Sequence, residues 1–377
     1  VTHLLRALLA AALFATLAGT GGCANTGYYA QAVKGQVRYL GAREPIVEVL
    51  QRDDLDADIR RRLELAREVR FFARDELALP VKGQYRDYVQ LTGDYPVWSV
   101  FAAPELSLEA VRWCFLFGAL CTEYRGYFLE ADAQEFAAGL RARGHDVEVS
   151  GVAAFSSLGV FDDPLTSLLV KMPDDLMAMV LFHELAHSVV FAKDDTLFNE
   201  SFAQAVAEEG LRRWLTARGA PPDSPVLAQH RAQYARLTQV ALATRQKLQA
   251  LYAGNAPDDG KRAGKAAILA QARADYLALC EREPLPGGCA YADWFGAGLN
   301  NARLNAVATY EARVPAFRAL LAAHDGDLAA FYDTVRALAE LPADARRKAL
   351  QAMMPAEAGA IGAAPGPSVD TANDLNP

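Results

Sequence analysis

"LFHELAHSVVFAKDDTLFNESFA", residues 181–203, sets His183 and His187 four apart with Glu184 between them, and places Glu200 thirteen residues after the second histidine. Upstream, Pro173, Asp174 and Asp175 supply turn-forming and acidic residues that suit the positive end of a helix dipole. Leu176, Val180, His183 and His187 then recur at helical spacing, which predicts a helix to about Ala192 with these four on one inward stripe. On such a stripe two imidazoles one turn apart present ring nitrogens to a single tetrahedral ion, while Glu184 leans over the same point. If "KDDT" turns the chain, a second helix from about Leu197 brings Glu200 opposite His187. Two histidines and one carboxylate leave a fourth position for water, the donor set of catalytic rather than structural zinc. Asn199 and Gln204 are placed to orient a ligand from behind. The rival account is an ordinary helical hairpin whose histidines are satisfied by backbone carbonyls.

The rest of the chain fits a folded envelope protein. Its 377 residues are 52% hydrophobic and 22% charged, with a formal charge of -8. No basic run or stripe is present, which excludes nucleic acid as a partner. His3 and Arg6 precede the apolar run Ala7 to Leu17, and the small residues from Ala18 to Gly22 lead to Cys23. Residues 1–22 read as a secretory signal too short to span a bilayer. The segment resembles a bacterial lipoprotein signal, which implies lipidation of Cys23, although Thr20 stands where such signals carry an aliphatic residue. In an oxidising compartment Cys114, Cys121, Cys280 and Cys289 can pair in three ways. Local pairing is expected, Cys114 to Cys121 across two short strands and Cys280 to Cys289 across a Pro/Gly loop; the alternative is four free thiols.

Helical periodicity appears in "YYAQAVKGQVRYL" and in residues 56–79, with Asp54 or Asp56 as a cap. From Tyr85 to about 161, aromatic and β-branched segments between Gly and Pro predict a small sheet. A helix ended by Gly144 interrupts it, and Asp163 with Pro164 reads as a cap and first helical residue. Residues 174–351 read as helices, and 355–377 as a disordered tail. The expected fold class is α+β, predominantly helical with a small sheet before the HExxH helix, in one domain spanning 23–354.

"HELAH" followed by "FNESFA" resembles the gluzincin class of metallopeptidases. With "CANTGYYAQAVKGQ" at 23–36, "YRGYF" at 124–128, "FSSLGVFDDP" at 155–164 and "LNNARLNAVATY" at 299–310, the chain resembles the family of bacterial lipoproteins described as putative aminopeptidases. The resemblance implies a zinc enzyme that hydrolyses peptide bonds, with Glu184 as general base. Tyr310 is the candidate donor to the oxyanion, with His230 as the alternative. Asp162, Glu123 and Glu208 are candidates for pairing with a substrate ammonium. The segment 152–159 is a candidate edge strand for an extended peptide. The expected protein is a monomeric, lipid-anchored aminopeptidase on the periplasmic side of the envelope. Its alternatives are an endopeptidase and a non-catalytic zinc-containing assembly lipoprotein.

Overall fold

The computed structural model describes residues 26–115, 120–154, 162–193, 195–307 and 313–354. Helix α1 (Thr26–Gly41), strand β1 (Glu44–Pro45) and the single turn α2 (Ile46–Val49) precede α3 (Ala57–Asp75). The carboxylate of Asp56 accepts from the N–H groups of Asp58 and Ile59 at 2.9 and 3.1 Å. Such a cap contributes about 1 kcal/mol and fixes where α3 begins.

Where the sequence predicts one small sheet, the described residues form three. Strand β2 (Asp87–Val89) is buried throughout and must satisfy backbone groups on both edges. It does so by pairing antiparallel with β1 and parallel with β8 (Leu165–Thr166), which lies beyond the expected range. The second sheet has β3 (Val97–Pro104) between β6 (Tyr124–Tyr127) and β7 (His145–Val152), all antiparallel neighbours. The third is the ribbon of β4 (Trp113–Phe115) and β5 (Leu120–Thr122), in which Cys114 is disulfide-bonded to Cys121.

Strand alternation gives the β3 sheet two different faces. Val100, Ala102, Tyr127 and Val147 pack on Ala133, Ala137 and Leu140 of α4 (Glu130–Ala142), which ends before Gly144 at φ +78°. Arg125 is buried in this layer, its guanidinium 3.9 Å from the Tyr28 ring centroid and 4.6 Å from that of Phe136. The strand partners Phe101 and Tyr124 lie on the opposite face, their rings 5.7 Å apart.

The cap expected at Asp163 is not formed. The short helix α5 (Ser167–Val170) is capped by Thr166, whose hydroxyl accepts from Leu169 N, while the Asp163 carbonyl accepts from Tyr85 N at 2.7 Å. Pairing of Leu165 and Thr166 with β2 holds them extended and delays the helix. The long helices follow: α6 (Asp174–Ala186), α7 (Thr196–Ala217), α8 (Pro225–Ala253), α9 (Asp258–Arg282), α10 (Asn301–Val307), α11 (Val314–Ala323), α12 (Leu328–Ala339) and α13 (Ala343–Ala352). Residues 283–300 are non-helical, because Pro284, Pro286, Gly287 and Gly288 break the periodicity expected there.

The main core packs α6 and α7 against α3 and α11 to α13, with Phe182, Phe198, Phe202, Phe317 and Phe331 fully buried. At Gly210 an added Cβ would lie 2.9 Å from the Phe182 ring, so glycine is what lets α7 approach α6 there. A second cluster joins α8 and α9 through Leu248, Tyr276 and Phe295. Cys280 and Cys289 sit in it as free thiols, instead of the bridge expected across their loop. Helix α10 docks on the β3 sheet through Asn301, which is fully buried and donates from its amide to the carbonyls of Pro104, Glu105 and Ser107. Arg303 pairs with Glu148 at 2.9 Å. The "LNNARLN" segment thus serves docking, and no described helix is long and apolar enough to cross a membrane.

Candidate metal centre

The helix carrying His183 ends earlier than its periodicity suggests. It stops at Ala186 with His187 as its C-cap, because Ser188 N and Val189 N bond back three residues, to Leu185 O and Ala186 O, at 3.1 and 2.9 Å. Val189 and Val190 are β-branched and extend the helix poorly. Across the bend Asn199 holds the chain instead: Ala192 N donates to its amide oxygen at 2.8 Å and its amide nitrogen donates to Ala192 O at 2.9 Å. Asn199 therefore shapes the bend and does not face a ligand as expected. Asp195 starts α7 by accepting from Phe198 N at 3.0 Å and is itself paired with Arg346 at 2.9 Å.

The expected inward stripe is inward only in part: His187 is buried, while Leu176, Val180 and His183 are half-buried. Met177, Ala178, Leu181, Phe182, Leu185 and Ala186 turn into the core, whereas Leu176, Val180, His183 and Glu184 are only half-buried. A ligand site must stay reachable, and this rotation of the helix leaves it so.

The early bend brings α6 and α7 together at His183, His187 and Glu200, one ligand atom of each lying within 4.8 Å of the others. His183 Nε2 is 3.2 Å from Glu200 Oε2 and 3.2 Å from His187 Nε2, and His187 Nε2 is 3.7 Å from the same carboxylate oxygen. Burial pushes the His187 imidazole down to about 4, helped by His183. Burial alone would raise Glu200, but its hydrogen bond to His183 and the charges of both histidines hold it below the usual carboxylate range. His183 is raised despite burial, by Glu200, Glu184 and Gln204. Two imidazoles and a carboxylate that converge in this way can hold a metal ion.

Glu184 sits beside the cluster, and burial together with Glu200 and Asp163 pushes its carboxyl up to about 7 against the opposing pull of His183. Two tyrosines that the motif does not flag complete the surroundings. Tyr124 is 42% exposed. Burial still leads the causes that raise its hydroxyl, with Glu200 and Glu184 adding to it. Tyr85 is buried, at a backbone φ of +56°, and is raised chiefly by burial and then by Glu184 and Asp163. Neither is visible in sequence, because each depends on how a strand or loop docks against α6. Gln204, one turn along α7 from Glu200, donates to Glu208 Oε1 at 3.2 Å and adds to the causes that raise His183.

Of the other expected site residues, those that are described make their printed contacts elsewhere. Tyr310, Cys23 and most of the 152–159 segment lie outside the described residues. His230 stacks on Tyr234 on α8, with ring centroids 6.4 Å apart. Asp162 accepts from Gly83 N at 3.1 Å. Glu208 is paired with Arg318 and, at 3.3 Å, with Arg231. Glu123 is exposed and precedes Tyr124 directly.

Fold and site together define an α+β protein, mostly helical, with a two-histidine, one-glutamate cluster that can hold a metal ion. The chain belongs to the family whose description is "Putative aminopeptidase", and the family model matches residues 27–350. No curated protein and no solved structure matches the chain.

Proposed function

We propose that this chain is a zinc-dependent metallopeptidase of the gluzincin type, acting as an aminopeptidase and held to the cell envelope by a lipid on Cys23. The observation that carries the peptidase reading is the convergence of His183, His187 and Glu200 with Glu184 beside them. Zinc held by the three ligands would supply Lewis acidity to a water molecule and to the scissile carbonyl. Glu184 takes the proton of the attacking water and passes it to the leaving amine. The Tyr124 hydroxyl is the donor available to the negative charge that develops on the carbonyl oxygen. A zinc site used only for assembly would have no need of a general base beside its ligands, which favours catalysis over that alternative.

The aminopeptidase part rests on family membership. Of the acidic candidates, Asp162 and Glu208 are already engaged in the fold, which leaves Glu123 as the candidate to meet a substrate ammonium. An unblocked peptide amide should then be cleaved at least about tenfold faster than its N-acetylated counterpart, the loss that one charge pair of about 1.4 kcal/mol produces. Competition of the two substrates for the zinc-loaded protein measures this ratio. Equal or faster cleavage of the blocked peptide would make the protein an endopeptidase.

The anchor is a separate proposal, supported by the apolar run and small residues before Cys23. Cys23→Ser should move the protein from the membrane fraction to the soluble one, since an acyl chain contributes about 0.8 kcal/mol per buried methylene. Retention of the variant in membranes would argue for an uncleaved hydrophobic segment.

A further inference from the structure

Helix α1 meets the fold along the side that carries Tyr28, Gln31, Gly35 and Tyr39, which recur at offsets of three and four. The Gln31 amide donates to Gly126 O at 3.3 Å and accepts from Phe128 N at 3.4 Å. The Tyr28 ring lies 5.6 Å from that of Tyr127 and the Tyr39 ring 6.4 Å from that of Phe128, and an added Cβ at Gly35 would run into the Phe128 ring. The opposite side of the helix carries Ala30, Val33, Lys34, Val37, Arg38 and Gly41, all exposed. Val37, at 67%, is the most exposed large hydrophobic residue among the described residues, and Val33 one turn before it is 47% exposed. Lys34 and Arg38 stand one turn apart beside them, and neither is held in an ion pair among the described residues. A single exposed valine on a protein surface is ordinary. Here two of them alternate with two cations along one stripe, and α1 holds no acidic residue although the chain has 46 Asp and Glu against 38 Lys and Arg. Cys23 lies only three residues before Thr26, where the helix begins.

We propose that this outer face of α1 docks on an anionic phospholipid surface, with Lys34 and Arg38 at the headgroup phosphates and Val33 and Val37 entering the boundary with the acyl chains. Two valines hold a helix at a bilayer weakly by themselves. A tether a few residues away keeps the face at high effective concentration beside the membrane, so a weak contact suffices. The acidic remainder of the chain is repelled by the same surface, which turns α1 toward it. Through Gln31 the helix is fixed to β6, the strand that carries Tyr124, so docking sets how that strand is presented to the bilayer. The proposal rests on the anchor reading above for the tether alone: a lipid on Cys23 and an uncleaved hydrophobic segment would serve it equally.

Acetylation of lysines by a water-soluble reagent, read by mass spectrometry, tests this on the full chain, expressed in a bacterial host so that its start is processed and then reconstituted with vesicles. Lys34 is the reporter and Lys348 on α13, also exposed, is the reference. On vesicles of phosphatidylcholine with phosphatidylglycerol, Lys34 should react at least about fivefold more slowly than on phosphatidylcholine alone, the gain expected from one basic side chain at an anionic surface. Lys348 should react equally on both. Half-molar salt should restore most of the Lys34 rate, because it shortens the screening length to about 4 Å. Val33→Asp with Val37→Asp should restore it as well, and Arg38→Gln gives the same reading if that double variant fails to fold. Equal Lys34 rates on the two kinds of vesicle, or slowing that survives both salt and the substitutions, would overturn the proposal. Slowing that is the same on neutral vesicles and in detergent would also overturn it, and would point to a second copy of the chain over this face. The mass of the N-terminal peptide from the same samples keeps the two readings apart. Unmodified Cys23 with Lys34 still protected would end the lipid reading and leave the docking face standing, whereas acylated Cys23 with Lys34 unprotected would do the reverse.

Discussion

Glu184→Gln is expected to keep the fold and bound zinc and to lose peptide hydrolysis by at least about a hundredfold, the lower end of what a positioned general base contributes. The substitution replaces a carboxylate by an amide of the same shape. The three cluster residues are untouched, and the half-buried position of Glu184 is still filled. What disappears is the group that can accept the proton of water. Burial and the charges of Glu200 and Asp163 already make an ionised carboxylate costly at this position, so the neutral amide should fold at least as stably as the parent. Steady-state hydrolysis of an unblocked peptide amide, with zinc content measured on the same samples, checks this. Activity within a few-fold of the parent would mean that another group removes the proton.

The second large effect is loss of metal. His187→Ala and Glu200→Ala should each fail to retain zinc through dialysis, because two remaining donors cannot hold the ion against water and buffer. The consequence extends to stability. A ligand that binds only the folded state at a thousand times its dissociation constant adds about 4 kcal/mol. Zinc should therefore raise the melting temperature of the parent protein by several degrees and leave both variants unmoved. The zinc-free variants should themselves stay folded, since the core of α6 and α7 is built by Phe182, Phe198 and Phe202 on the side away from the cluster. Scanning calorimetry with and without zinc reads both parts.

The ligand set was legible in the sequence because it is local. Helical spacing fixes His183 against His187, and a short bend returns Glu200, so no knowledge of distant packing is needed. The helix end was not legible to within a turn: periodicity carries α6 to Ala192, but the Asn199 clamp on Ala192 ends it at Ala186 and turns His187 into a cap. The same limit explains Asp163, where local preference favoured a helix start and pairing of β8 with β2 overrode it. Tyr124 was invisible for a further reason. Its neighbour Arg125 looks like the exposed residue and Tyr124 like the buried one, yet the strand turns Arg125 into an aromatic layer and Tyr124 to the opposite, Phe101 face. Which face of an edge strand meets a helix hairpin is decided by tertiary docking, to which a two-residue period is blind.

Glu208 illustrates how charge in a sequence can mislead. As an acidic residue two turns from a metal ligand it suggests a partner for a substrate ammonium, but Arg231 and Arg318, from α8 and α11, claim it in the folded chain. Gln204 donates to it from a third side.

The central claim is that one metal ion sits between His183, His187 and Glu200. Anomalous diffraction from crystals of the zinc-loaded protein, with data on both sides of the zinc absorption edge, tests it most directly. The account predicts a single strong zinc peak per chain, about 2.0–2.1 Å from a ring nitrogen of each histidine and about 2.0–2.2 Å from a Glu200 oxygen, with a fourth position open to the cleft. A chain that binds no zinc there, or a peak ligated by other residues, would contradict it.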